Sequence, residues 1–186
     1  MKYSDQSSEQ DLILGCQKGH SQAQRFLYKR FYSKMKSVCM RYARDPDEAE
    51  EMLNSGFLKV FNAINRYEAR GSFEGWVRRI VLNSALEHIR RQVKYRETLT
   101  FDTYHEGSVS CDAVETLMVE DLYKVIQKLP TMQRMVFCLN LLEGYTHKEI
   151  GELLSIPAGT SKWHLSEAKK QFSKLAKTYY SRSYQK

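Results

Sequence analysis

Residues 45–91 read DPDEAEEMLNSGFLKVFNAINRYEARGSFEGWVRRIVLNSALEHIRR, and this stretch decides the fold. It opens on five carboxylates (Asp45, Asp47, Glu48, Glu50 and Glu51), closes on the basic pairs Arg78-Arg79 and Arg90-Arg91, and carries Tyr67, Phe73 and Trp76 between them. One end repels a polyanion and the other attracts it. Leu53, Phe57, Val60, Phe61 and Ile64 recur at the spacing of one helix face, with the acids in the first turns, where the helix dipole favours negative charge. Gly71-Ser72 interrupts the pattern. A second helix is expected from Ser72, whose hydroxyl suits an N-cap, with Phe73, Trp76, Val77, Ile80 and Val81 turned inward and Arg78, Arg79 and Asn83 outward.

On the N-terminal side, the first ten residues are polar and expected to fray. From Asp11 the apolar positions Leu12, Ile13 and Cys16, then Ala23, Phe26, Leu27 and Phe31, predict two short helices broken near Gly19-His20-Ser21, with Ser21 as the cap. A third is expected from about Ser33 to Asp45-Pro46. With the two helices of the central stretch this makes a helical domain over 10–95, large enough for a modest core.

On the C-terminal side, no lysine or arginine occurs between Glu97 and Tyr123, where seven acids stand. That segment is formally −7, so the rest of the chain carries +14. Residues 96–114 read as an acidic linker, either a solvated tether or a segment shaped to occupy a basic channel. The second domain is expected over 115–178. A helix from Thr131 to Leu142 places Val136, Phe137, Leu139 and Leu142 inside and ends at Gly144, a suitable C′ residue. Thr146 and Glu149 then form a capping box ahead of Ile150, Leu153 and Leu154. Ser155-Ile-Pro-Ala-Gly is a turn, and a basic helix from about Gly159 to Ala176 follows. A supporting helix, a tight turn and a basic second helix are the parts of a helix-turn-helix, whose second helix enters the major groove. Its reach toward bases and phosphates comes from Thr160, Ser161, Lys162, Trp163, His164, Ser166, Lys169 and Lys170. Trp163 has an alternative role, packing on the supporting helix.

The 186 residues, 42% of them hydrophobic with few Gly and Pro, suit an all-α protein of two small helical domains. A net charge of +7 makes a polyanion the first partner to consider. Cys16, Cys39, Cys111 and Cys138 lie far apart, with no C-x-x-C pair and no histidine at zinc-finger spacing, so they read as reduced thiols and no metal or other cofactor is expected. No signal peptide and no run of membrane-spanning length is visible, which points to a cytoplasmic protein.

Two surfaces carry the remaining chemistry. The acids at 45–51 suit a protein contact better than Mg²⁺ chemistry, because successive residues around a helix start do not converge on one ion. Tyr67, Phe73 and Trp76 beside Arg66, Arg70, Arg78 and Arg79 suit single-stranded nucleic acid, with bases stacking on rings and arginines following phosphates. Phe73 and Trp76 also lie on the apolar stripe, so at least one of them is expected in the core.

The runs EAEEMLNSGFLKVF, RYEARGSFEGWVRRIVLNSALEHIRR and LPTMQRMVFCLNLLEGYTHKEIGELLSIPAGTSKWHLSEAKK resemble, in their order and spacing, a bacterial RNA polymerase sigma factor of the extracytoplasmic-function (ECF) group. The resemblance implies that Asp47, Glu48, Glu50, Glu51, Asn54 and Phe57 meet the clamp helices of the polymerase β′ subunit. It implies that Arg66, Tyr67, Arg70, Ser72, Phe73, Trp76, Arg78, Arg79 and Asn83 read and melt the minus-10 element. The final helix would read minus-35 DNA, the second domain would meet the β flap, and an anti-sigma factor would be a further partner. Such a factor is a specificity subunit, not an enzyme. The family usually has Gln and an acid where Asn54-Ser55 stand, and Ser where Trp163 stands. The alternative reading is a helix-turn-helix regulator that binds duplex DNA without polymerase.

Overall fold

The computed structural model describes the backbone of residues 3–98 and 117–183 and the side chains of 3–92 and 122–178. Every regular element among them is helical: α1 (Glu9–Gln17), α2 (Ser21–Met40), α3 (Pro46–Ala63) with a 3₁₀ turn at Ile64–Arg66, α4 (Phe73–Thr98), α5 (Leu117–Gln127), α6 (Thr131–Phe137) running into a π turn at Cys138–Leu142, α7 (His147–Leu154) and α8 (Ala158–Ser183). The chain divides into two compact units, 1–93 and 94–186.

In the first unit α2 lies against both α1 and α3. Its apolar residues Ala23, Leu27, Phe31, Met35 and Val38 are all buried, spaced four, four, four and three apart. That unbroken seam is why α2 is one helix of 20 residues and not the two expected to divide near Ser33. No glycine or proline occurs inside it, and at Tyr32-Ser33 the Tyr32 hydroxyl reaches Glu50 of α3 (2.9 Å) while Ser33 faces outward. The residue flanking its start is His20, with Ser21 already helical and no side chain capping the turn.

The core of the unit joins this seam to Leu12, Met52, Leu53, Phe57, Val60, Phe73, Val77, Val81, Ala85 and Leu86. Helix α3 starts as its sequence dictates: Asp45 accepts from the Glu48 amide (2.8 Å) and Pro46 occupies the first turn. Gly56 lets α3 close on α4, since a Cβ there would lie 3.0 Å from Val81 Cγ2 and 3.1 Å from its Cα. The side chain of Gln17 donates to the Ile64 carbonyl (3.2 Å), tying α1 to the end of α3.

The N-terminal residues from Tyr3 onward are tied down instead of fraying. Arg30 donates to the carbonyls of Ser7 (2.6 Å) and Asp5 (3.3 Å), Lys29 pairs with the Asp5 carboxylate (2.9 Å), and Ser8 caps α1 through the Asp11 amide (3.0 Å).

In the second unit α8 packs against α5, α6 and α7. The Glu143 amide reaches back five residues to the Cys138 carbonyl (3.1 Å), the signature of the π turn. This wide turn re-aims the end of the α6 segment, so Leu139 is buried while Leu141 and Leu142 are exposed, against the expectation that Leu142 lies inside. Gly144 takes the left-handed φ (77°) expected of it. The expected acidic linker, apart from 96–98 at the end of α4, lies outside the described residues.

Candidate nucleic-acid interface

Helix α3 presents an edge of Asp47, Glu51, Asn54 and Leu58, all exposed. Leu58 is 63% exposed, a large apolar side chain in the middle of a polar edge. Sequence reasoning missed it, although its position, one turn after Asn54, was legible. Glu50 sits at the margin of this edge, where Lys36 (2.9 Å) and the hydroxyls of Tyr32 (2.9 Å) and Tyr28 (3.4 Å) converge on its carboxylate. The Lys36 contact, followed by those hydroxyls, holds its carboxyl below the ordinary range. Tyr28 also donates to Asn54 Oδ1 (2.9 Å), so the edge is preorganised from α2.

Two residues expected on this edge face inward. Glu48 is only 6% exposed; its Oε2 accepts from the Arg44 amide (2.6 Å) and Arg44 Nε (3.1 Å), while its Oε1 lies 3.3 Å from His88 Nε2. Burial by itself would raise its carboxyl, but the Arg44 hydrogen bonds outweigh burial and hold it lowered. Phe57 is core, with its ring 4.6 Å from that of Tyr28. Neither is presented as a docking contact.

The start of α4 is capped by Ser72, whose Oγ accepts from the Gly75 amide (3.1 Å). The loop before it turns at Ala69, whose φ is 54°, and is closed by the Tyr67 hydroxyl donating to the Gly71 carbonyl (2.8 Å). Tyr67, Phe73 and Trp76 form one aromatic cluster: Tyr67 meets Phe73 edge-on at 5.0 Å and Trp76 at 5.3 Å, and Phe73 stacks on Trp76 at 5.6 Å. Phe73 is fully buried and anchors the cluster, whereas Tyr67 and Trp76 are part-exposed. Arg66, Arg70 and Arg79 are exposed around them and Arg78 is half-buried. Arg70 pairs with Glu68 at 2.7 Å. From the cluster, Trp76, Arg79, Asn83, Glu87 and Arg90 continue along α4 at intervals of three and four. Glu87, the acid in this stripe, is paired with Lys59 and Arg91, which pull its carboxyl down to about 2.

In the second unit, Thr146 and Glu149 cap α7 reciprocally, Thr146 Oγ1 accepting from the Glu149 amide (3.3 Å) and Glu149 Oε2 from the Thr146 amide (2.8 Å). The turn bends at Ser155 (φ 57°), and only a glycine fits at 151, where a Cβ would stand 2.7 Å from the Ile156 carbonyl oxygen. Helix α8 buries Ser161, Leu165 and Ala168. Ser161, expected to reach DNA, is 0% exposed; its Oγ lies 2.9 Å from His147 Nδ1 and joins the two helices instead. Lys162, Trp163, Ser166, Lys169 and Lys170 are exposed, and Thr160 and His164 partly so. Burial holds His164 below the ordinary histidine value. Trp163 is 58% exposed and does not pack on the supporting helix.

Among the described residues no group of three His, Cys, Asp or Glu is placed to hold a metal ion, and no helix is long and apolar enough to cross a membrane.

Known proteins are similar to this chain. The sigma-70 region 2 model matches residues 27–95, which span the α3 edge and the α4 cluster, and the sigma-70 region 4 model matches residues 120–172, which span the helix-turn-helix. The chain is similar to the RNA polymerase sigma-H factor of Pseudomonas aeruginosa, 24% identical over 181 residues that cover 91% of this chain and 94% of that one. It is similar to the ECF RNA polymerase sigma-E factor of Escherichia coli (strain K12), 26% identical over 178 residues that cover 89% and 93%. Its fold is similar to that of the sigma factor RpoE of Bartonella quintana, solved in complex with the anti-sigma factor NepR, with a TM-score of 0.51, 16% identity, and coverage of 82% of this chain and 96% of that one. With region 2 and region 4 both present and in order, this chain belongs to the ECF group of sigma-70 factors, which bind core RNA polymerase and direct promoter recognition and opening.

Proposed function

We propose that the surfaces described above divide the work of a sigma factor. The α3 edge of Asp47, Glu51, Asn54 and Leu58, with Glu50 at its margin, docks the clamp helices of polymerase β′, while Glu48 and Phe57 fix that helix from inside. Tyr67 and Trp76, with Arg66, Arg70, Arg78, Arg79 and Asn83, take the minus-10 element, and Ser72 and Phe73 set the start of α4 beneath them. Helix α8 takes minus-35 DNA through Thr160, Lys162, Trp163, Ser166, Lys169 and Lys170, with His164 at its margin. On this reading residues 10–95 are the polymerase and minus-10 part, 115–178 the minus-35 part, and 96–114 the acidic connection between them. The exposed pair Leu141-Leu142 offers an apolar contact for the β flap.

The mechanism follows from what opening costs. Taking a base out of the stack costs a few kcal/mol. An aromatic face returns about 1 to 3 kcal/mol per stacked base, and arginines beside it hold the phosphates of the displaced strand. The chain itself breaks no covalent bond; it is a cytoplasmic specificity subunit and not an enzyme. Since the Bartonella quintana sigma factor was solved with an anti-sigma factor, we infer a partner of that kind here as well.

The observation that carries the reading is that the polar docking edge and the aromatic and arginine cluster occupy different helices, so one can be changed without the other. The test is gel filtration with sigma-free core polymerase, followed by run-off transcription from genomic fragments of the source organism. Co-elution with promoter-dependent transcripts is expected. Changing Arg78 and Arg79 together to Ala should lower open-complex formation about tenfold or more, the worth of lost charge-assisted contacts, and leave core binding unchanged. No co-elution, together with tight binding to duplex DNA alone, would overturn it in favour of the regulator.

A further inference from the structure

We propose that Trp163 is the residue that reads thymine in the duplex element bound by α8, its indole packing on the 5-methyl group that thymine alone displays in the major groove. The inference rests on the minus-35 reading of α8 and assigns a base chemistry to it.

Position comes first. The buried seam of α8 is Ser161, Leu165 and Ala168. At about 100° per residue, Trp163 projects from the opposite side of the helix, away from the rest of the unit. Its 58% exposure agrees with that placement. Gly159, one turn earlier on the same face, has open space where a side chain would begin, which leaves that part of the helix free for a DNA surface to come close. Lys162, Ser166 and Lys170 are exposed around it, the charge and hydroxyl pattern that holds phosphates on either side of a base contact.

Chemistry then narrows the target. An indole has one N–H donor and no acceptor. It cannot form the two-bond pairings by which Arg and Lys read guanine or Asn and Gln read adenine, whereas a flat apolar ring matches the one apolar group in the groove, the thymine methyl. The ring is also steadied before binding: His164 meets it nearly edge-on with centroids 4.9 Å apart. A side chain held near its bound orientation gives up less freedom on association.

The test uses the holoenzyme of core polymerase and the full chain on a fragment that gives a run-off transcript. Each thymine in the upstream element, on either strand, is replaced singly by deoxyuridine, which deletes only the methyl group. Wild type is expected to lose about fourfold in promoter binding at one such position, the worth of one buried methyl. Trp163→Ala should bind the normal fragment about as weakly as wild type binds the uracil one and should be indifferent to the swap. Trp163→Phe should keep the sensitivity. Tolerance of uracil at every thymine by wild type, an element without thymine, or an undiminished uracil penalty in Trp163→Ala would each overturn the assignment. Wild-type binding to the unsubstituted fragment that does not depend on the upstream element at all would instead overturn the minus-35 reading and this one together.

Discussion

At the scale of single residues, burial separates those open to a partner from those that hold the fold. Ser161 and Trp163 stand two positions apart in the same helix, one wholly buried and the other mostly open. Sequence pattern identified the helix and its basic face but treated both as reach, because serine is small and polar and carries no burial signal of its own; only the packing of α7 against α8 turns Ser161 toward His147. Ser161→Ala should therefore cost about 1 kcal/mol of stability, the net worth of one hydrogen bond, measured by urea unfolding, and leave the DNA sequence preference unchanged. Glu48 gives the complementary case. A carboxylate in a helix start reads as surface, yet Arg44 and His88 draw it in. Its carboxyl in the folded chain lies below the ordinary value of 4.5. The stability it contributes is thus complete above that value and is lost as pH falls through the lower, folded one. Urea midpoints of the whole chain should fall as pH is taken from about 5 toward 3. Glu48→Gln should be less stable at neutral pH and show a shallower fall.

At the scale of elements, caps and seams were legible where a local rule decides and illegible where long-range packing does. The capping box at Thr146 and the cap at Ser72 are local chemistry, and each stands where the sequence puts it. Helix α2 was harder: Tyr32-Ser33 looked like a boundary, but the seam from Ala23 to Val38 has partners on both α1 and α3 and carries the helix through. The π turn had no signature at all, since CLNLL is equally good α-helix, and the exposure of Leu142 followed from a hydrogen bond that no composition encodes. Ser72 tests the value of one cap. Ser72→Ala should destabilise the first unit by about 1 kcal/mol, and Ser72→Asp should restore most of it. Helix content by circular dichroism at rising urea concentration measures both. Because Ser72 also fixes where α4 begins under Tyr67 and Trp76, the alanine variant should open promoters more slowly while binding core polymerase normally.

At the scale of the whole molecule, the sequence showed two helical bodies of net basic character separated by an acidic stretch, because charge and period are sums over many residues and tolerate local error. Each body has its own apolar core, built around Leu27, Leu53 and Val81 in the first and Val136, Leu139 and Ile150 in the second. The same burial has a practical consequence. Cys16 and Cys39 lie in the first core and Cys138 in the second, all as free thiols, and burial pushes Cys16 up to about 11 and Cys39 up to about 12. A thiolate is the reactive form. In the native chain these sulfurs should be silent to an alkylating reagent and react only when the unit around them opens. Pulsed alkylation read by mass spectrometry should then report one body's opening at Cys16 and Cys39 and the other's at Cys138. The chain thus carries a built-in clock for each half, usable without an engineered cysteine and while polymerase and promoter are bound.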